Sequence, residues 1–282
     1  MFAVKLGNLN GRLVLITSDE KAVDVETASN GQFGPDPMSV FPNWARFSKW
    51  AKEVKDDGVD FVRADLGTPV PKPGQIFAIG VNYRAHGEES GYPPDSAPVT
   101  FTKFASSLTG PDTTVILPEG NVDWEVEMVI AVGVGGHCID KQDAWSHIAG
   151  LMVGQDLSER ISQLEGAKPQ FSLAKSYPGF SPTGPWLTTI DELTDAENLR
   201  ILCTIDGEIM QDSRTAYMIY DVPELIARLS SVVTLWPGDL IFTGTPAGIG
   251  NARNPKRFLQ PGEVLESTIE GLGTMTTRFI ES

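Results

Sequence analysis

The residues best suited to chemistry are two glutamates, Glu125 and Glu127, in the run DWEVEMVIAV. The run is mostly apolar and predicts a strand that is buried on both faces. Side chains two positions apart on a strand project from the same face, so the two carboxylates would lie together. Two buried carboxylates repel each other unless a cation lies between them. A solvent-facing glutamate pair on an edge strand is the alternative, because charged residues are rare in cores.

A divalent cation between these glutamates would need further oxygen ligands. Asp156 ends a second apolar run, GLMVGQD, and is the predicted third ligand. Carboxylate oxygens suit Mg²⁺, Mn²⁺ or Ca²⁺. The sequence therefore predicts a metal site that draws its ligands from two separate elements.

A histidine and a glutamate, His86 and Glu89, lie three residues apart in NYRAHGEES. This spacing places both side chains on one face of a helical turn. An imidazole that is oriented by a carboxylate can act as a general base. The alternative is a surface pair or a structural histidine, and we interpret His137 and His147 as structural because neither has an acidic companion at a useful spacing.

Two further segments carry candidate groups. Lys175 lies in the mostly apolar stretch FSLAKSYPG, where a lysine either reaches the surface or serves a site. The glycine-rich loop TGTPAGIG at residues 243–250 follows the apolar run LIF and could present backbone N–H groups to an anion. It is not a P-loop, because the Lys and Ser/Thr that follow the last glycine of that motif are missing.

The elements that must position these residues predict an α+β, β-rich fold. Short β-patterned runs recur from Ile76 onward, and Asp206-Gly207 indicates a hairpin. Helical patterns are fewer and lie at residues 43–54, 140–148, 158–164 and 222–229. Strands without a regular βαβ alternation favour this class over a doubly wound sheet.

A segment rich in Pro and Gly, GTPVPKPGQ at residues 67–75, predicts a domain boundary. We expect a small N-terminal α+β domain over residues 1–66 and a catalytic domain over residues 73–282. Strands are predicted at residues 2–6 and 12–16 of the small domain. No motif in it indicates a role, and a cap or a contribution to dimer contacts are both open.

The composition excludes several classes of protein. A chain of 282 residues with 41% hydrophobic and 21% charged residues can bury a sizeable core. Its net charge of −15 argues against nucleic acids and anionic membranes as partners. The sequence has no membrane-spanning run and no signal-peptide pattern, so we expect a cytoplasmic protein. The two cysteines, Cys138 and Cys203, form neither a disulfide framework nor a zinc cluster and are predicted to be buried.

In this order, the motifs resemble those of the fumarylacetoacetate hydrolase superfamily. The resemblance covers residues 70–282 through IGVNYRAHGEE, FTKF, DWEVEMVIAVG, GQDLSERISQ, FSLAKSYPGF and PGDLIFTGTPAGIG. The chain is similar to the branch of acylpyruvate and fumarylpyruvate hydrolases and 2-hydroxyhepta-2,4-diene-1,7-dioate isomerases. The resemblance implies a mixed β-roll for the catalytic domain and a homodimer.

The resemblance also implies a role for each candidate residue. The implied ligands of Mg²⁺ or Mn²⁺, with Ca²⁺ as an alternative occupant, are Glu125, Glu127 and Asp156. The implied catalytic residues are the water-activating pair His86 and Glu89 together with Lys175. The implied substrate-binding positions are Tyr83, Arg160, Gln163, Gly244 and Thr245.

The implied activity is hydrolysis of a C–C bond in a 2,4-dioxo acid, a small anionic substrate of aromatic-compound catabolism. His86 would deprotonate water, and the departing carbanion would be a metal-bound enolate. Isomerisation of a 2-hydroxy-diene-dioate and decarboxylation of oxaloacetate are alternatives at the same site. Ile161 stands after Arg160 where acylpyruvate-hydrolysing relatives often carry an acidic residue, so the substrate stays open. A non-catalytic cation-binding protein is the remaining alternative.

Overall fold

A computed structural model describes residues 4–93 and 96–281, so Phe2, within the first predicted strand, lies outside the described residues. The described strands are β1 (Lys5–Leu9), β2 (Arg12–Ser18), β3 (Lys21–Asp24), β4 (Val59–Asp60), β5 (Leu66–Gly67), β6 (Ile76–Gly80), β7 (Val99–Thr102), β8 (Leu108–Thr109), β9 (Asp112–Ile116), β10 (Val122–Asp123), β11 (Val126–Val132), β12 (Ile148–Gln155), β13 (Ser158–Glu159), β14 (Ser181–Thr188), β15 (Arg200–Ile205), β16 (Glu208–Arg214), β17 (Leu240–Phe242), β18 (Val264–Ile269) and β19 (Gly273–Ile280).

The helices are short and connect these strands. The α-helices are α1 (Val25–Ala28), α2 (Trp44–Ala51), α3 (Arg84–Glu89), α4 (Arg160–Gln163), α5 (Phe171–Ala174) and α6 (Val222–Ser230). Turns of 3₁₀ helix lie at Pro37–Asn43, Arg63–Asp65, Ala105–Ser107, Lys141–His147, Ile190–Glu192, Thr215–Tyr217 and Gly250–Ala252. Over the described ranges, no helix is long and apolar enough to cross a membrane.

One large mixed sheet runs through the molecule in the order β4-β3-β2-β1-β14-β12-β11-β17-β6-β7, with β5 beside β1 and β8 beside β14. A second sheet has the order β16-β15-β18-β19-β9, and β10 pairs with β13. Most neighbours are antiparallel, whereas β17–β6, β14–β8 and β19–β9 are parallel. This architecture confirms the predicted β-rich α+β class.

Strands β11 and β12 lie in the middle of the large sheet and are buried on both faces. On β11, Met128 and Ile130 enter the core that is shared with the second sheet. Val129 and Ala131 point the other way, into a core that also contains Phe47 of α2. This double burial explains the continuous apolar run, and the prediction of a central strand is confirmed.

The N-terminal strands extend the same large sheet. Lys5 of β1 lies opposite Thr188 of β14 in an antiparallel pair, and β5 pairs with the other end of β1. The ring of Phe47 packs edge-on against Phe33, with 5.2 Å between the centroids, in the core that contains Val129. The two predicted domains thus share a sheet and a core, and the boundary at residues 67–75 stays a prediction.

Two local predictions are wrong, and a third is confirmed only in part. Residues 141–147 form a 3₁₀ turn instead of an α-helix, and Asp140 makes no capping hydrogen bond to its first turn. Residues 158–159 form β13 because they pair with β10, so helix α4 begins only at Arg160. Cys138 is exposed, with φ of 53°, whereas Cys203 is buried as predicted.

Two other local predictions are confirmed. The Asp206-Gly207 turn joins β15 to β16, and its φ angles of 49° and 83° are those of a tight hairpin turn. Helix α6 begins after Asp221, whose side chain accepts a hydrogen bond from the backbone N–H of Glu224. The turn signal and the helical pattern of these two segments were therefore sufficient, whereas the capping signal at Asp140 was not.

We predict that Phe47→Ala lowers the free energy of unfolding by about 3–5 kcal/mol, because it leaves a cavity in the core that joins the N-terminal segment to the central strands. Chemical denaturation followed by circular dichroism and by tryptophan fluorescence measures this, and both signals should change in one transition. Val59→Ala, at a side chain that is 73% exposed, is the control and should shift the midpoint little. Two separate transitions would show that residues 1–66 unfold on their own.

Candidate metal centre and active site

Three carboxylates meet at one end of the β11–β12 pair. Glu125 directly precedes β11, Glu127 is its second residue, and Asp156 directly follows β12. Because the strands are antiparallel, the start of β11 lies beside the end of β12, and the backbone N–H of Asp156 donates to the carbonyl of Glu125 at 2.9 Å. Oxygens of the three buried side chains lie within 4.8 Å of one another. The structure thus brings together the three predicted metal ligands.

The chemistry of this cluster fits a divalent cation. Burial and the charges of Asp156 and Glu125 raise the pKa of Glu127 well above its usual range. Burial would also raise the pKa of Glu125, but the cations of Lys175 and Arg160 outweigh it and lower that pKa to about 2. Buried carboxylate oxygens are ligands that Mg²⁺, Mn²⁺ and Ca²⁺ prefer.

Two buried lysines contact the cluster. The Nζ of Lys175 donates to Glu125 Oε2 at 2.7 Å and to Asp156 Oδ2 at 2.6 Å. The Nζ of Lys103 donates to Asp156 Oδ1 and to the backbone carbonyl of Lys175. Burial lowers the pKa of Lys103, although Asp156 opposes this, whereas for Lys175 the carboxylates outweigh burial and raise the pKa. Sequence reasoning gave Lys103 no role, and its only signal was a lysine inside the β-patterned run VTFTKF.

Arg160 contacts the cluster from helix α4. Its Nη2 donates to Glu125 Oε1 at 2.7 Å, its Nε to Asp123 Oδ2 at 2.8 Å and its Nη1 to Gln163 Oε1 at 2.8 Å. Asp123 is fully buried and also accepts from the backbone N–H of Gly250 at 2.7 Å. Asp123 is a second site residue that sequence reasoning missed, although it stands two positions before Glu125.

His86 and Glu89 lie on helix α3, where the three-residue spacing brings them together. His86 Nδ1 is 2.8 Å from Glu89 Oε1, and Glu89 Oε2 accepts from the backbone N–H of Gly248 at 2.9 Å. The imidazole is mostly buried, and its positive charge when protonated helps to lower the pKa of Glu125. Both residues of the predicted general-base pair, His86 and Glu89, are therefore held beside the acidic cluster.

The glycine-rich loop donates backbone N–H groups to anions, as predicted, but these anions are side chains of the protein itself. Gly244 N–H donates to Glu127 Oε2 at 2.8 Å, in addition to the contacts that Gly248 and Gly250 make with Glu89 and Asp123. Gly244 has φ of +97°, and a Cβ there would lie 2.7 Å from the Cβ of Asn82. Only glycine fits this approach without displacing the backbone.

Of the two remaining predicted positions, Thr245 links the strand to the loop and Tyr83 does not. The hydroxyl of Thr245 donates to the carbonyl of Val126 at 2.9 Å and accepts from Gln211. The hydroxyl of Tyr83 is buried and has no hydrogen-bond partner among the described residues. Burial and the charge of Glu127 raise the pKa of Tyr83. This unpaired hydroxyl beside the carboxylates is a further observation that fits an additional polar group in the cluster.

A cavity of about 360 Å³ opens beside these residues. The predicted residues that line it are His86, Glu89, Glu125, Arg160, Gln163, Lys175 and Thr245. Its other walls include the aromatic rings of Phe101 and Phe171. Among the described residues, Tyr83 and Gly244 do not line the cavity. A substrate in the cavity would therefore contact His86, Arg160, Lys175 and Glu125 first.

Comparisons with known proteins agree on the class of this chain. Residues 75–280 match the model of the fumarylacetoacetate (FAA) hydrolase C-terminal family. The bovine protein "Oxaloacetate tautomerase FAHD2A, mitochondrial" is 41% identical over 214 residues, which are 75% of this chain and 68% of the relative. The prediction of an enzyme of this superfamily is confirmed.

Solved structures extend the likeness over the whole chain. An HpcE-type protein of Mycobacterium smegmatis is 50% identical, with a TM-score of 0.94 over 99% of this chain and 100% of that one. Maleylpyruvate hydrolase from Sphingobium sp. SYK-6, solved with a manganese(II) ion and pyruvate, is 26% identical, with a TM-score of 0.82 over 99% and 100% of the two chains.

We predict that Glu127→Gln weakens the binding of Mg²⁺ and Mn²⁺, because it removes one anionic ligand from a set of three. The affinity should fall by more than the roughly 10- to 100-fold that is typical when a residue that only hydrogen-bonds to a metal ligand is replaced. Isothermal titration calorimetry measures this with each metal. The exposed Glu119→Gln is the matched control, and equal affinities of the two variants would place the metal elsewhere.

Proposed function

The chain belongs to the fumarylacetoacetate hydrolase family, and from this premise we propose that it hydrolyses a C–C bond in a 2,4-dioxo acid with the help of Mg²⁺ or Mn²⁺. One observation carries the proposal. The His86–Glu89 pair lines the same cavity as Glu125, Arg160 and Lys175, so a base and two cations surround one space. Attack by water and stabilisation of the departing carbanion could then occur on the same bound molecule.

His86 activates the water. Its Nδ1 faces Glu89, and a proton on Nδ1 leaves Nε2 free to accept a proton from water. Glu89 cannot turn away, because Gly248 holds its second oxygen. The hydroxide attacks the C4 carbonyl, the C3–C4 bond breaks, and the imidazolium returns its proton to C3 of the pyruvate fragment.

The two cations of the cavity stabilise negative charge. Lys175 lies against Glu125 and Asp156, so its third N–H can reach an oxygen of the 2-oxo acid beside them. Glu125, Glu127 and Asp156 would hold the divalent ion, which supplies Lewis-acid polarisation when it is bound. Burial of these charges strengthens each interaction, because the local dielectric constant is lower than in water.

Tautomerisation of oxaloacetate is a second candidate, and the 41% identity to the bovine oxaloacetate tautomerase favours it. The same imidazole could move a proton between C3 and the oxygen at C2 of a bound 2-oxo acid. This reaction needs no water and breaks no C–C bond. The two activities therefore differ in their products, although they would use the same base.

A panel of acylpyruvates and oxaloacetate, incubated with Mg²⁺, with Mn²⁺ or with a chelator, separates the candidates. Pyruvate that forms only when metal is present, together with a carboxylic acid from the acyl group, would support the hydrolase. Faster keto–enol exchange of oxaloacetate without cleavage of any acylpyruvate would contradict the hydrolase proposal and support the tautomerase. Loss of carbon dioxide from oxaloacetate would instead indicate a decarboxylase.

We predict that His86→Ala lowers kcat by about a hundredfold to ten-thousandfold, the range that loss of a general base produces. The variant should bind Mg²⁺ with unchanged affinity, because the proposed ligands are the three clustered carboxylates and do not include His86. Steady-state kinetics and calorimetry measure the two quantities. The exposed His137→Ala is the control, and full activity of His86→Ala would remove His86 from the mechanism.

A further inference from the structure

The permanent cations in the described wall of the cavity, Arg160 and Lys175, are already paired with protein carboxylates. Arg160 donates one hydrogen bond each to Asp123, Glu125 and Gln163, and its Nη2 also lies 2.7 Å from Asp123 Oδ2, so at most two of its five N–H groups remain for a ligand. Lys175 donates to Glu125 and Asp156 and keeps one of its three. The free donors of both residues belong to side chains that contact the acidic cluster, where the 2-oxo acid unit of the substrate would bind.

The wall beyond this point is aromatic and aliphatic. The Nζ of Lys175 is 5.2 Å from the centre of the Phe101 ring, so this wall begins directly beside the cations. The Phe101 and Phe171 rings lie edge to face, with 5.6 Å between their centroids. The buried side chains of Ile79 and Ile249 also line the cavity.

The polar groups that remain on the described wall are mostly uncharged. They include the side chains of Ser90, Tyr92 and Asn251. The acid among them, Glu89, is held by His86 and Gly248 and would repel a second anion. The permanent cations among the described lining residues, Arg160 and Lys175, are already engaged by protein carboxylates, so a second anionic group on the substrate would lose its hydration without gaining a cationic partner of its own.

We infer that the acyl part of the substrate, beyond the 2,4-dioxo acid unit, is uncharged, and that it is an alkyl, aryl or hydroxyalkyl group. Such a group gains from burial against Phe101 and Phe171, whereas a second carboxylate would be buried without a partner. The inference rests on the proposed function and narrows it to monocarboxylate substrates. Substrates that end in a second carboxylate are then disfavoured.

Butanoylpyruvate and succinylpyruvate provide a matched test, because their acyl chains have the same number of carbons and end in a methyl group or a carboxylate. With Mg²⁺ present, kcat/KM for butanoylpyruvate should exceed that for succinylpyruvate by at least about tenfold, since only the carboxylate must give up its hydration unpaired. An equal or reversed preference overturns the inference and leaves the hydrolase proposal standing.

A substitution at Leu164 tests the cause of the preference. Leu164 lines the cavity and is 56% exposed, so a longer side chain can be accommodated there. Leu164→Arg adds a cation and should shift the ratio of the two kcat/KM values toward succinylpyruvate by about tenfold relative to Leu164→Gln, the uncharged control. The same ratio in both variants would mean that charge at this wall does not set the preference.

Direct binding separates this inference from the proposed reaction. Titration of each compound into the His86→Ala variant with Mg²⁺, by calorimetry, requires no turnover. Tighter binding of butanoylpyruvate supports the inference even if the wild-type enzyme cleaves neither compound. The absence of cleavage would overturn only the hydrolase proposal. Tighter or equal binding of succinylpyruvate, or no binding of either compound, overturns the inference.

Discussion

Repulsion among three buried carboxylates is the constraint on which the site depends. Glu125, Glu127 and Asp156 are brought together by the antiparallel register of the two central strands, which the surrounding cores fix. Without compensation, such a group would be unstable in a low-dielectric interior. The compensating cations are Lys103 directly after β7, Arg160 at the start of α4 and Lys175 directly after α5, so elements distant in sequence must converge here.

The glycine-rich loop belongs to this system of charge compensation. Its backbone N–H groups bind Glu127, Glu89 and Asp123, one carboxylate each from the acidic cluster, the His86–Glu89 pair and the contact with Arg160. A single segment of about seven residues thus orients three functional groups. Side-chain donors would need more space and would lose more conformational entropy on ordering.

Local periodicity was sufficient to predict that Glu125 and Glu127 share one face, because side chains of a strand alternate with a two-residue repeat, whereas Asp156 was inferred from its place at the end of a second apolar run. The three-residue spacing of His86 and Glu89 worked for the same reason. Lys103 and Asp123 were missed because their roles depend on partners 53 and 37 residues away, and such pairings leave no local pattern. The helix predicted over residues 158–164 begins only at Arg160, since strand pairing with β10 overrode local preference at residues 158–159. Nothing local indicated that β1 would join the central sheet through β14.

The carboxylate cluster has a consequence for the fate of the protein in a cell. Its ligands come from separate strands, so the unfolded chain cannot reproduce the site, and a cation that binds only the folded state shifts the folding equilibrium. Proteases that attack transiently opened molecules act on the population which that equilibrium sets. The supply of the divalent ion would then govern how long each molecule survives, as well as whether it is active.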